Sequence, residues 1–509
     1  MTARHPRSVF ILPLLALLMG GCNQPTPAQT GESALAMAGI GEPTSQVTGL
    51  LSSPSPSALP APALTEPAAP SFMPSTAAVT LDVELFYAER WMRVRQQVSV
   101  QNTTSDEWNE VVFNVPLHAM PESFFLDAVT VTLGEEIQNG TPGFFGTETI
   151  LRVPLPRPAR PGETIEIELR YRVVIPPVGP TDWPPIGTTG WTFDLIQAGE
   201  WYPALVPYRE GEGWHTWDYR PVGDPTFYPL TDVSLNVTTE EGVTVVSGGP
   251  LGQEDGVWRF HVQGARGIAF LASDRYEMAE GEAEGIVVRS YYLPEHKEAG
   301  QAALEVAVRA LTLFSQLWGP PPYPSLMVAE NGFFGGMEYS GLISITNYAY
   351  TVYQGQPNSI LTVLVAHETA HQWWYGGVGN DQANEPWLDE SLAFYSELLY
   401  LEHYHPEFTD WWWEKRVFQY SPYGPVDATI YSYSDSADFI LSMYGQAAQF
   451  LRDLRRQMGD DQFFAFMRDY YETYTGQIVT ADDFFHMARQ YANVDLTPLF
   501  QAYFANPPD

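Results

Sequence analysis

The sequence predicts a multidomain chain: an N-terminal antiparallel β-domain of sandwich type, then an α-rich domain with a small sheet. Three observations predict it. Apolar residues alternate with period two from about Val79 to Ser273. Past about Arg289 the period becomes helical. Before Val79 neither period persists. The expected organisation is a signal peptide at 1–21, a tether at 22–78, a β-domain at 79–275 and an α-rich domain at 276–509. With 45% hydrophobic and 14% aromatic residues, the 509-residue chain has enough apolar surface for substantial cores, which excludes a wholly disordered protein. Its formal net charge of −36 repels phosphate backbones, so no nucleic-acid partner is expected.

The chain opens on a basic start, Arg4 and Arg7, followed by the apolar run VFILPLLALLM from Val9 to Met19. That run is shorter than the roughly 20 residues a bilayer span needs, and it suits the core of a signal peptide. Gly20 and Gly21 follow, then Cys22, the single cysteine of the chain. The arrangement resembles a bacterial lipoprotein signal, cut before a lipid-modified cysteine. The expectation is therefore an exported cell-envelope lipoprotein, held at the membrane by acyl chains on Cys22. Between Asn23 and Ala78 there are ten prolines and no Lys or Arg. This composition reads as a disordered spacer rich in polyproline II.

In the β-domain, Val79, Leu81, Val83 and Leu85 share one strand face. Met92, Val94, Val98 and Val100 repeat the pattern, as do Ile165, Ile167, Leu169, Tyr171 and Val173, and then Val233, Leu235 and Val237. Turn signals separate the runs: Asn139-Gly140, Pro161-Gly162 and Gly248-Gly249-Pro250. No catalytic constellation falls in this region.

In the second region Leu304, Val308, Leu311, Ser315 and Trp318 follow helical spacing, and Gly319-Pro320-Pro321-Pro322 stops that helix. Short strands are expected at Leu326 to Ala329 and at Leu342 to Ile345. After Asn358-Ser359 the chain reads as helical almost to its end, with Thr480 and Asp483 marking one helix start.

Residues 367–371 read His-Glu-Thr-Ala-His. On a helix, positions i and i+4 lie on one face, so His367 and His371 can reach one cation. Imidazole suits Zn²⁺, whose catalytic sites take three protein ligands and keep one position open. A third ligand is expected from the segment NEPWLDESLAFYSELLY, Asn384 to Tyr400. Pro386 suits a helix first turn, with Asn384 or Glu385 as its cap. Glu390 then lies one turn in, and Glu397 seven residues later on the same face, placed to orient a ligand histidine. Trp373-Trp374-Tyr375 is expected to pack in the core, and His403 and His405 to lie at the surface.

HExxH followed by 18 residues and Glu resembles the aminopeptidase N family of zinc metallopeptidases, which includes the leukotriene hydrolases. Trp387-Leu388-Asp389-Glu390-Ser391 is similar to the family's WLxEG run, with Ser391 in place of Gly. Gly335-Gly336-Met337-Glu338-Tyr339 is similar to its GxMEN motif, with Tyr339 in place of Asn. Trp201-Tyr202-Pro203 and Gly223-Asp224-Pro225 also resemble family segments. The resemblance covers about 79–509, without the large C-terminal helical domain of bigger members.

The resemblance implies a thermolysin-like zinc metallopeptidase domain, one zinc per chain, and peptide substrates with a free N-terminus. It implies zinc ligands His367, His371 and Glu390, with Glu368 as the general base toward the attacking water. Gly336, Met337 and Glu338 would bind substrate, Glu338 taking the terminal amine. A tyrosine would stabilise the oxyanion. Tyr444 is the nearest match, with Tyr431 and Tyr433 as alternatives. Gln197 would be the β-domain's contribution to the amine site. The expected activity is that of a zinc aminopeptidase. Its rivals are a zinc endopeptidase, a catalytically silent peptide-binding lipoprotein, and an epoxide hydrolase.

Overall fold

The structure is a computed structural model and describes residues 77–140, 142–145, 149–178, 189–192, 194–220, 222–223, 227–333, 335–433 and 436–507. The expected signal peptide, Cys22 and nearly all of the tether lie outside the described residues, as do Asp224 and Pro225. Among the described residues no helix is long and apolar enough to cross a membrane.

The alternating runs become strands of one eight-stranded sheet. Its order is Pro250–Glu254, Val257–Ala265, Thr231–Thr238, Ala77–Phe86, Trp91–Gln101, Thr164–Val174, Phe124–Leu133 and Glu136–Asn139. Neighbours are antiparallel except Ala77–Phe86 with Thr231–Thr238, which is parallel. The first strand begins at Ala77, two residues before the expected start of the β-domain at Val79, because Ala77 pairs with Val100 and is buried. Val79, Leu81, Val83, Leu85 and the matching residues of the other runs are buried, so the period-two pattern marks the inner face. Gln96 is the polar member of that face. It is fully buried, donates to the Pro203 carbonyl at 2.8 Å and accepts from the Tyr171 hydroxyl at 3.0 Å. Two four-stranded sheets, one built around Leu195–Ala198 and Phe270–Ser273, the other around Trp108–Asn114 and Ile150–Ala159, and the short pair Tyr208–Arg209 and Gly213–Trp214 complete the described β-domain.

From Glu277 onward five strands form a separate sheet, ordered Glu277–Ala283, Ile286–Tyr292, Ser325–Asn331, Leu342–Thr346, Gly336–Tyr339, and the short strands Gly379–Asn380 and Ile478–Val479 pair with each other. The helix Lys297–Trp318 crosses between its second and third strands and ends at Gly319, whose φ of 106° suits glycine alone. The expected strand Leu342 to Ile345 is internal to this sheet. The edge is Gly336–Tyr339, too short and glycine-rich for its alternation to be read from sequence. Helices follow. Ile360–Ala370 starts at Ser359, whose hydroxyl accepts from the Thr362 amide, and Trp387–Tyr404 packs beside it. Neither Asn384 nor Glu385 caps that second helix. Asp381 instead accepts from the amides of Ala383 and Asn384, and Glu385 accepts from the Ala481 amide. Thr480 and Asp483 form the expected capping box. Trp373 and Trp374 are buried in the core.

Candidate metal centre

His367 lies in the last turn of the helix Ile360–Ala370, and His371 sits at its C-cap, so one helical turn separates the two rings. Glu390 lies in the first turn of the helix Trp387–Tyr404. The two Nε2 atoms are 3.2 Å apart, and Glu390 Oε2 lies 3.4 Å from His367 Nε2 and 3.5 Å from His371 Nε2. Donors bound to one tetrahedral zinc at ~2.0–2.1 Å stand about 3.3–3.4 Å apart, so the triangle already has the size of a zinc face. Glu390 Oε2 is buried and accepts no hydrogen bond among the described residues. A buried carboxylate oxygen without a donor is costly unless a cation faces it.

The far side of the His371 ring fixes its tautomer. His371 Nδ1 donates to the Trp374 carbonyl at 2.9 Å, leaving Nε2 for the cation. His367 Nδ1 faces Glu397 Oε1 at 3.2 Å. Glu397 is fully buried and accepts from Trp412 Nε1 at 2.8 Å, Arg416 Nε at 3.0 Å and Arg416 Nη2 at 2.8 Å. Sequence spacing brings Glu397 to the site. Trp412 and Arg416 arrive from beyond the helix and carry no such signal.

Burial acts on every charge here. It opposes charging His367, yet Glu390 and Glu397 outweigh it and hold that imidazole up at about 9. Burial pushes the Glu368 carboxyl up to about 8, opposed chiefly by His367. Burial also raises Glu338, against the pull of His371. Burial would raise Glu390 too, but the two histidines hold it low. Five carboxylates (Glu338, Glu368, Asp389, Glu390 and Glu397) are buried together, with Arg416 as the only buried arginine paired to any of them among the described residues. Such a cluster calls for further positive charge. The histidine–histidine–carboxylate donor set, its spacing and its charge all fit Zn²⁺.

The remaining expected residues converge on the same place. Gly336 stands so close over Glu368 that a Cβ there would lie 2.1 Å from Oε1. Glu338 lies on the edge strand, buried, with Gln382 Nε2 at 3.4 Å from its Oε1. Gln382 Nε2 also donates to Asp389 Oδ2 at 2.5 Å, so one amide touches both carboxylates. Met337 is buried in the small apolar cluster between the domains. The Tyr444 ring stacks against His367 at 5.9 Å between centroids, on a π-helical stretch from Leu441 to Gln446. Tyr431 points elsewhere, its hydroxyl donating to the Asp218 carbonyl, and Tyr433 packs against Phe439.

Gln197 donates from Nε2 to the Tyr339 hydroxyl at 3.1 Å, so the tyrosine that replaces asparagine engages the amide expected at the amine site. Glu200, three residues on, was not anticipated. Burial raises it to about 7, Tyr228 donates to it, and the charge of Glu338 raises it further, which places it near that carboxylate. Its position in the segment that also holds Trp201-Tyr202-Pro203 was the available signal.

The fold and the donor set define the class, a β-domain followed by a helical domain with a two-histidine, one-glutamate metal centre. Residues 302–503 match the peptidase family M1 domain. The match agrees with the resemblance to the aminopeptidase N family. Aminopeptidase M1-D of Oryza sativa subsp. japonica is 27% identical over 225 residues, covering 41% of this chain and 26% of that protein. Endoplasmic reticulum aminopeptidase 1 of Homo sapiens is 30% identical over 148 residues, covering 28% of this chain and 16% of its own. The chain thus spans about a quarter or less of the curated relatives named here. Among solved structures, an M1 zinc metallopeptidase from Deinococcus radiodurans superposes with a TM-score of 0.60 at 19% identity, over 86% of this chain and 94% of that one. This likeness shows the two-part fold. A mutant of the Deinococcus enzyme has been crystallised with a Tyr-Ser-Ala substrate.

Proposed function

We propose that this protein is a zinc-dependent aminopeptidase that removes residues from the N-termini of peptides. The observation that carries the reading is the buried Glu338 on the edge strand beside the three-donor triangle. An exopeptidase needs a fixed distance between its metal and a group that captures the terminal ammonium. Glu338 supplies a charge-assisted acceptor, and the edge strand lets a substrate backbone add alongside it. The names of the aminopeptidase relatives and the peptide-bound Deinococcus structure support the choice.

Held by His367, His371 and Glu390, zinc would polarise the scissile carbonyl and lower the pKa of water. Glu368, whose carboxyl is buried under Gly336, takes the proton from the attacking water. The Tyr444 hydroxyl donates to the oxygen that gains charge. Glu200 adds a second carboxylate near Glu338 for the ammonium. A silent peptide-binding protein would have no use for Glu368, so the intact base favours catalysis.

The test compares free-amino peptides with their N-acetyl forms. The expected outcome is stepwise release of single residues from free peptides and little cleavage of blocked ones, with Glu338→Ala narrowing that gap. Efficient internal cleavage of blocked peptides would turn the assignment to an endopeptidase and leave the zinc site standing.

We extend the proposal to a lipid anchor at Cys22, on the strength of the sequence pattern alone. Mass analysis of the mature protein should find an acylated Cys22 at its N-terminus, and Cys22→Ser should release the protein from the membrane fraction. An unlipidated N-terminus downstream of Cys22 would replace anchoring with secretion.

A further inference from the structure

We propose that Arg416, with Trp412, is a positioning residue for the metal centre. It fixes Glu397 where that carboxylate can accept from His367 Nδ1, and so sets how tightly the chain holds zinc. The inference rests on the zinc reading above.

The two ligand histidines are supported in different ways. His371 leans on a backbone carbonyl, that of Trp374, at 2.9 Å. A carbonyl inside a folded turn cannot swing away. His367 leans on a side chain, Glu397 Oε1 at 3.2 Å, and a glutamate has three rotatable bonds. Something must hold that glutamate. Arg416 grips it with two parallel contacts, Nη2 to Oε1 at 2.8 Å and Nε to Oε2 at 3.0 Å, while Trp412 Nε1 donates to Oε2 at 2.8 Å. The fork defines the plane of the carboxylate and turns Oε1 toward His367. Only 3% of the Arg416 side chain and none of Glu397 is exposed, so water cannot substitute for either partner.

The elements around Arg416 keep it in place. Trp412 closes the short helix Thr409–Trp412, and Arg416 lies on the π-helical turn Trp413–Val417 that follows. Wide turns of this kind recur at functional sites. The guanidinium sits 5.1 Å over the Phe394 ring, which in turn lies against His367 at 6.4 Å between centroids. The bland alternative is a buried ion pair that serves stability alone. Buried pairs of that sort can often be replaced by apolar residues at little cost in stability. What distinguishes this one is that its carboxylate also faces a metal ligand.

The experiment measures zinc dissociation constants by competition with a chelating dye. It uses the full chain and compares wild type with Arg416→Gln, Arg416→Lys, Trp412→Phe and His367→Ala, each checked by circular dichroism to be folded at the assay temperature. Losing the outer support of a metal ligand typically costs roughly 10–100-fold in affinity. Arg416→Gln should lose that much. Arg416→Lys, which keeps charge but not the fork, should fall between it and wild type. Trp412→Phe should weaken binding several-fold while keeping the ring in place. Folded Arg416 variants that bind zinc within about two-fold of wild type would overturn the proposal. If neither Arg416 variant folds, unchanged affinity in Trp412→Phe overturns it instead. Wild type that binds no zinc, or His367→Ala that still binds it, overturns the zinc reading and this proposal together.

Discussion

Gly336 illustrates how a single missing side chain shapes the site. An added Cβ would stand 2.1 Å from Glu368 Oε1 and 2.6 Å from its carboxyl carbon. Real contacts of that length do not exist, so the carboxylate or the edge strand would have to move. Glu368 is adjacent in sequence to a metal ligand but is not one itself, and His367, His371 and Glu390 would be undisturbed. Gly336→Ala should therefore keep its zinc and lose turnover, since a misplaced general base forfeits much of the 10²–10⁴-fold such groups contribute. Metal analysis and kcat on one preparation check it, and a variant with normal kcat would remove Glu368 from the role of base. At this scale the sequence was most legible where ligands lie close along the chain. His367, His371 and Glu390 occupy two consecutive helices, and helical spacing alone orients them. Arg416, Gln382 and Glu200 were not legible. Each reaches the site from a loop or irregular turn, where no periodicity predicts direction.

Among the elements, the junction between the sheet and the helix Lys297–Trp318 depends on a buried ion pair. His296 precedes that helix and is its N-cap, where a positive charge opposes the helix dipole. Glu330, at the end of the strand Ser325–Asn331, offsets this. Its Oε1 lies 2.8 Å from His296 Nδ1 and also accepts from Asn347, while its Oε2 accepts from the Leu293 amide at 2.8 Å. The bond to Glu330 raises the His296 pKa against burial and the nearby Arg275, with Glu295 assisting. A folded-state value above the unfolded one stabilises the protein fully below about pH 6.5, and the gain is lost as pH rises through the raised value. The melting temperature of wild type should exceed that of His296→Gln most at about pH 6, and the difference should shrink toward about pH 9. A constant difference across that range would assign His296 to packing instead. This pair escaped the sequence reading because its members belong to different elements. The strands themselves were read well, since each has a polar and an apolar face. The edge strand Gly336–Tyr339 gives no period over four residues, and only the resemblance to the GxMEN motif points to it.

Across the whole molecule, the zinc ligands all lie in the C-terminal part, whereas the expected amine site draws on both parts. Gln197 on the β-domain reaches Tyr339 beside Glu338, and His215 on the β-domain pairs with Asp381 at 3.0 Å. Arg266 makes a further contact between them. It is buried and donates to the Tyr228 carbonyl at 3.1 Å and, across the interface, to the Gln477 carbonyl at 2.7 Å. Its own carbonyl accepts from the Tyr375 hydroxyl at 2.7 Å, and its guanidinium packs so closely on Gly379 that a Cβ there would lie 2.5 Å from Cζ. Arg266→Leu would take the guanidinium donor from the buried Tyr228 carbonyl, at a cost of roughly 1–3 kcal/mol, and one of two donors from the Gln477 carbonyl, which keeps the Gly379 amide at 2.9 Å. That loss falls on the interface and leaves the helices carrying His367, His371 and Glu390 intact. The variant should melt several degrees lower and keep its zinc. Its KM for free-amino peptides should rise more than its kcat falls, because Gln197 would be held less firmly against Tyr339, the neighbour of Glu338. Loss of zinc in proportion to loss of activity would show instead that the β-domain supports the metal helices directly, and that the two parts form a single cooperative unit.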